Sequence, residues 1–163
     1  MALGSLAVAH VTAALIALAL GLAVLAARKG TDVHRLFGAG YVVSMITVNG
    51  TALGIYRLTG QFGSFHVLAI ASLAVTIWGL LMVLRRRQNW VIWHFHAMCY
   101  SYLGLLAAAT AEAVLRLHLL GSVARTSSGV IAIGVSIAIL FTIIGALAIP
   151  RLEATVIANA ADH

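Results

Sequence analysis

Four histidines are spread one each over the four most N-terminal apolar segments of this chain: His10, His34, His66 and His94. A neutral imidazole is a good ligand for haem iron, and an ionisable side chain inside a membrane normally faces the protein interior. If successive segments cross a membrane, the histidines alternate between its two faces. His34 and His94 are then axial ligands near one face, and His10 and His66 near the other. This pattern predicts two b-type haems stacked across the membrane, an arrangement for transmembrane electron transfer.

The elements that position these histidines are long apolar segments. The chain has 163 residues, of which 63% are hydrophobic and 9% charged, with a mean hydropathy of +1.08. A soluble domain of this size needs more charge to cover its core. Apolar runs of roughly 18 or more residues can cross a membrane, and five are present, at about 3–26, 36–57, 64–84, 91–116 and 128–149. The sequence therefore predicts an all-α polytopic membrane protein, one domain with a four-helix core bundle and a fifth helix.

The basic residues lie beside the ends of these runs, and their distribution indicates an orientation. Seven fall on one side of the predicted membrane and three on the other: Arg28, Lys29, Arg35, Arg85, Arg86, Arg87 and Arg151 against Arg57, Arg116 and Arg125. Cytoplasmic loops carry the excess of Lys and Arg, so we expect the N-terminus outside and the C-terminus in the cytoplasm. Because the charges lie beside membrane-crossing runs, the pI near 10.5 indicates contact with the lipid bilayer and no nucleic-acid partner.

A second polar group lies near the predicted outer face. Glu112 and Arg116 are four residues apart with the acid first, the better orientation for an ion pair on a helix. One interpretation is a structural ion pair at the membrane interface. In the haem hypothesis this pair holds haem propionates or a substrate, together with Tyr56 and Arg57 at the end of the second run. The expected redox partner is a quinone or a small reductant, with a homo-oligomer or a larger membrane complex as the assembly.

Zinc is the main alternative to haem. The predicted inner face offers oxygen and nitrogen donors for a site of three protein ligands and a water, from Asp32, His34, His94 and His96. Such a site could polarise a lipid ester or amide and would make the protein a membrane hydrolase. No HExxH pattern or serine–histidine–acid arrangement indicates a catalytic residue.

A role without catalysis is the third interpretation. His66, Glu112 and Arg116 could line a polar path through a small transporter or accessory subunit. Any single histidine also has a simpler role as a hydrogen-bonded structural residue. Visible absorbance separates these functions, because haem is coloured whereas zinc and an empty bundle are not.

Three segments resemble a known family. They are "HRLFGAGYVVSM" from His34, "FGSFHVLAIASLAVTIWGLL" around His66, and "WHFHAMCYSYLGLLAAATAEAVLR" with His94. Over about residues 8–117 the chain is similar to a bacterial family of predicted membrane proteins, domain of unknown function 2306; His96 does not match its pattern. The resemblance implies a multi-pass protein of the bacterial inner membrane. The histidine pattern also looks like that of dihaem transmembrane cytochromes b, an analogy at the level of fold.

Overall fold

The computed structural model describes residues 4–55, 62–116 and 126–161, without the side chains of Arg116, Ser127 and residues 155–161. The described residues form helices joined by turns and short connections, and the prediction of an all-α fold is confirmed. The five helices are α1 (Ser5–Ala26), α2 (Asp32–Ala52), α3 (Ser64–Arg85), α4 (Trp90–Arg116) and α5 (Ser127–Ala161).

The chain divides into two compact units, and α3 contributes to both. Residues Met1–Thr76 make up the first unit, in which α1 packs against α2. Residues Ile77–His163 make up the second, in which α4 packs against α5.

Small residues on α1 allow the close packing of the first unit. Its buried positions follow one another at steps of six, four and four residues, which places them on one side of the helix: Ala7, Ala13, Ala17 and Gly21. The facing surface of α2 buries larger side chains, among them Tyr41, Met45 and Val48. Lipid chains solvate apolar helices as well as another helix does, so helix association in a membrane depends on van der Waals packing. Small residues at the interface let the two backbones approach closely and increase this packing.

The connection between α1 and α2 is held by two caps. The Lys29 ammonium donates hydrogen bonds to three carbonyl oxygens at the end of α1, at 2.9, 2.9 and 3.1 Å from those of Val24, Leu25 and Ala27. Thr31 is the N-cap of α2, and its hydroxyl oxygen accepts a hydrogen bond from the backbone N–H of His34 at 3.3 Å. These bonds satisfy main-chain groups that a helix leaves without partners at its ends.

Four of the five helices, α1, α3, α4 and α5, are long and apolar enough to cross a membrane. Their candidate membrane spans are Ser5–Ala26, Ser64–Arg85, Trp90–Leu115 and Ser128–Ala154. The protein is therefore a multi-pass membrane protein in a lipid bilayer. The helix α2 is not among these four, because it begins with Asp32, His34 and Arg35 and carries several hydroxyl and amide side chains. Its assignment as a fifth span stays a prediction.

Two helix ends differ from the predicted spans. The helix α5 continues through Pro150 to Ala161, whereas the predicted span ended at 149. Proline removes one backbone donor, but the residues that follow it are mostly good helix formers, so the helix resumes. The helix α2 ends at Ala52, before the predicted end at 57, and residues 56–61 lie outside the described part of the chain.

Glycines set the close helix contacts of the second unit. On α3, a Cβ added to Gly79 would meet Met98 Cε and lie 2.9 Å from Ala97 Cβ, both on α4. On α5, a Cβ added to Gly145 would lie 2.7 Å from Leu103 Cδ1 and 3.1 Å from Tyr100 Cε1. The Cβ of Ala97 cannot move away by rotation, so the observed contact requires glycine at position 79, whereas at position 145 the ends of the Leu103 and Tyr100 side chains would have to shift.

We expect Gly79→Ala to lower the free energy of unfolding by about 1–3 kcal/mol, because the added methyl group overpacks the contact with Ala97. Gly104→Ala on α4 is the matched control, since a Cβ there meets nothing within 4 Å. The control should lose no stability and gain up to about 1 kcal/mol from the helix propensity of alanine. Unfolding in mixed micelles measures both values, and equal stabilities of the two variants would contradict the tight α3–α4 contact.

Candidate functional site

His10 projects from α1 onto the main chain of α2. Its Nδ1 atom lies 3.1 Å from the carbonyl oxygen of Val48 and 3.0 Å from the hydroxyl oxygen of Thr51. A carbonyl oxygen only accepts, so the neutral ring must carry its proton on Nδ1. The Thr51 hydroxyl donates its own proton to Thr47 O at 2.7 Å and is free to accept from the ring. The second nitrogen, Nε2, therefore keeps its lone pair.

His94 repeats this arrangement in the second unit. Its Nδ1 atom lies 2.9 Å from the carbonyl oxygen of Gly79 on α3. The absence of a side chain at Gly79, which lets Ala97 and Met98 of α4 approach, also brings the imidazole within reach of that carbonyl. By the same argument Nδ1 carries the proton and Nε2 the lone pair.

His66 has the opposite hydrogen-bond pattern. The backbone N–H of Gly63 donates to its Nδ1 atom at 3.2 Å, so Nδ1 is an acceptor and Nε2 carries the proton of the neutral ring. His66 occupies the third position of α3 and reaches back to the residue before the helix, as the acidic residue of a capping box does. Its side chain is buried, with the residue 3% exposed, and its ring stacks on Phe62 at a centroid distance of 5.0 Å.

The two predicted ligand pairs differ in their location: one pair lies within the first unit, and the members of the other pair lie in different units. His10 and His66 both belong to the first unit, where His10 bonds to α2 and His66 bonds to the start of its own helix. His34, half-buried in the first turn of α2, belongs to the first unit, and His94 to the second. The pairing of these histidines around a cofactor stays a prediction.

A contact that the sequence reasoning missed joins α4 to α5. His96 Nε2 lies 2.8 Å from Glu153 Oε2, and the two side chains are 32% and 24% exposed. Glu153 was overlooked because the predicted span ended at 149, beyond which the chain was assigned to the cytoplasm. The available signal was its rarity: it is one of four acidic residues in the chain, and it follows Pro150 by one helical turn.

The residues of the zinc alternative do not form a recognisable metal cluster in the described ranges. No group of three His, Cys, Asp or Glu side chains there is arranged to hold a metal ion. Asp32 lies in the first unit and pairs with Arg35 at 3.6 Å, and His96 in the second unit bonds to Glu153. The zinc site stays a prediction.

The predicted outer group is described only in part. Glu112 is half-buried on α4, and Arg116 is the last residue of that helix, without a described side chain. Tyr56 and Arg57 lie outside the described residues. Their role as propionate or substrate contacts stays a prediction, as does the polar path of a transporter.

We expect the His96–Glu153 hydrogen bond to stabilise the packing of α4 on α5. A double-mutant cycle with His96→Gln and Glu153→Gln should give a coupling free energy of about 1–3 kcal/mol, the range for hydrogen bonds to charged groups. The exposed pair Asp32–Arg35 is the control, and the same cycle there should give no measurable coupling. A coupling near zero at His96–Glu153 would refute the interhelical bond.

Comparison with known proteins agrees with the membrane architecture. No curated protein and no solved structure matches the chain. The family of predicted membrane proteins DUF2306 matches residues 7–152, which includes all five helices except the two ends, and the resemblance noted from the sequence motifs is thereby confirmed. The chain belongs to the predicted membrane protein family DUF2306.

Proposed function

We propose that this protein is a membrane-embedded haem b protein that transfers electrons across the bilayer. One observation supports the proposal: His10 and His94 each donate Nδ1–H to a main-chain carbonyl of another helix, at 3.1 and 2.9 Å. Histidines that ligate a metal through Nε2 almost always make this bond, because it selects the tautomer and fixes the ring. Each unit thus presents one imidazole, His10 or His94, whose Nε2 lone pair would be available to hold haem iron.

The proposal includes a topology. We propose five spans in the bacterial inner membrane, with α2 as the fifth, the N-terminus outside and the C-terminus in the cytoplasm. The polar side chains of α2 are compatible with this, since Ser44, Thr47 and Asn49 each return a hydrogen bond to a carbonyl oxygen of their own helix. In this topology His10 lies in the outer half of α1 and His94 in the cytoplasmic half of α4.

In the proposed function, haem and the protein contribute different parts of the chemistry. Bound haem supplies the one-electron carrier. The carbonyl oxygens of Val48 and Gly79 would hold the two rings in one tautomer and orientation, and the apolar helices would exclude water from the cofactor. His66 has its proton on Nε2 and would donate a hydrogen bond in this state, so its role as a ligand requires the other tautomer. A quinone or a small reductant is the proposed electron donor.

A reduced-minus-oxidised visible spectrum of the purified protein, with metal analysis of the same sample, tests the proposal. We expect the α-band of b-type haem. His10→Ala and His94→Ala should each remove about half of it, because each removes one ligand-competent imidazole. His96→Ala is the control, since it lies two residues from His94 but bonds to Glu153, and it should retain the full signal.

Three results would contradict the haem assignment. A featureless spectrum with stoichiometric zinc would favour the hydrolase alternative. A protein without bound metal after expression with added haem would favour a transporter or accessory subunit. Full absorbance in both the His10→Ala and His94→Ala variants would show that other residues hold the haem.

Thr51→Val should weaken haem retention at the His10 site alone. The variant removes the hydroxyl group that accepts from His10 Nδ1 and leaves the Val48 carbonyl oxygen as the acceptor. We therefore expect haem to bind up to about 10-fold more weakly, at the low end of the effect of removing a hydrogen-bond partner of a ligating histidine. Thr47→Val is the matched control, because the Thr47 hydroxyl bonds to Val43 O on the same helix. Haem transfer to apomyoglobin measures retention, and equal losses in both variants would refute the role of Thr51.

A further inference from the structure

Three consecutive exposed arginines form the end of α3 and the start of the loop before α4: Arg85, Arg86 and Arg87, here called the arginine loop. The connection is short and hydrogen-bonded at both ends, with Arg86 N–H donating to Met82 O and Trp90 N–H donating to Arg87 O, each at 3.0 Å. The Arg86 guanidinium carbon lies 5.8 Å from the centroid of the Trp90 ring, within range of a cation–π interaction. The loop therefore holds a dense positive charge in a defined place.

No carboxylate neutralises this charge among the residues that the structure describes. The carboxylates of Asp32 and Glu153 pair with Arg35 and His96 instead. In the described part of the second unit the acidic side chains are Glu112 and Glu153. Glu153 accepts from His96, and Glu112 lies some 33 Å along α4 from Trp90, at about 1.5 Å per residue. No carboxylate in the described ranges compensates the three guanidinium groups, which leaves them able to bind an external anion.

The basic residues of the first connection differ in this respect. The Lys29 ammonium donates to three carbonyl oxygens at the end of α1, and Arg35 lies 3.6 Å from the Asp32 carboxylate. These cations are directed to groups of the protein itself. The arginines between α3 and α4 have no such carboxylate partner among the described residues.

The position of the loop identifies the anion. It connects two helices that can cross a membrane, Ser64–Arg85 and Trp90–Leu115, so it lies at the membrane surface, at the level of the lipid phosphates. Trp90 and the exposed Trp93 begin α4, and tryptophan is enriched at that level. Guanidinium groups bind phosphate oxygens in pairs of parallel hydrogen bonds. We propose that Arg85, Arg86 and Arg87 form a headgroup site for anionic phospholipids, with Trp90 orienting Arg86.

Binding of a short-chain phosphatidylglycerol to delipidated protein in non-ionic detergent, followed by native mass spectrometry, tests this site. We expect wild type to bind phosphatidylglycerol in preference to phosphatidylcholine of the same chain length. The variant R85Q/R86Q/R87Q should bind it about fivefold more weakly per arginine lost, on the order of 100-fold in total. The variant R28Q/K29Q/R35Q removes the same number of charges from the first connection and should change the affinity less than about threefold.

Several outcomes would overturn the proposal. One is equal weakening in both glutamine variants, which would reduce the effect to net charge. Another is displacement of the lipid by an equal concentration of inorganic phosphate, which would indicate a free-phosphate site. If R85Q/R86Q/R87Q fails to insert, R85K/R86K/R87K keeps the charge that orients the helices but lacks the planar fork. It should bind phosphatidylglycerol more weakly than wild type, and equal binding would also refute the site.

Discussion

The structure depends on one constraint: inside a bilayer, every polar group must find its partner within the protein. The imidazoles of this chain meet it in different ways. His10 and His94 bond to main-chain carbonyls of other helices, His66 bonds to the start of its own helix, and His96 bonds to a carboxylate. Each bond ties a helix to its neighbour or fixes its end. The polar groups are thus part of the packing and not exceptions to it.

Close packing is what makes these bonds available. The carbonyl oxygens of a helix are partly shielded by its side chains, and small residues at a helix contact make it easier for a side chain of another helix to reach them. Gly79 has none, and its carbonyl accepts from His94. In the first unit, two small buried residues of α1, Ala7 and Ala13, lie three residues before and three residues after His10. Shape and hydrogen bonding therefore select the same residues.

The functional proposal follows from the tautomers that these bonds select. A neutral imidazole that donates from Nδ1 to a carbonyl oxygen still has the lone pair on Nε2, with which it can accept a hydrogen bond or bind a metal. Haem iron takes one or two imidazole ligands, and the proposed function assigns the lone pairs of His10 and His94 to it. The arginine loop lies outside these hydrogen bonds, and we propose for it a separate role towards lipid.

Much of this architecture follows from the sequence, but the hydrogen bonds do not. Apolar run length predicts helices over α1, α3 and α4 to within a few residues, because the spacing of polar residues there is unambiguous. The tautomer of His94 could not be predicted, since it depends on a carbonyl fifteen residues away whose access depends on Gly79. The partner of His96 was missed for a related reason: α5 extends past Pro150, where helix propensity prevailed over a residue that usually ends helices.

The protonation of the ring nitrogens tests the account most directly. Long-range ¹H–¹⁵N correlation spectra of the cofactor-free protein in micelles, assigned with single His→Gln variants, report which nitrogen of each imidazole carries the proton. We expect Nδ1–H for His10 and His94, and Nε2–H for His66. Nε2–H at His10 and His94, or averaging between the two forms there, would contradict the carbonyl-anchored rings on which the proposed ligation rests.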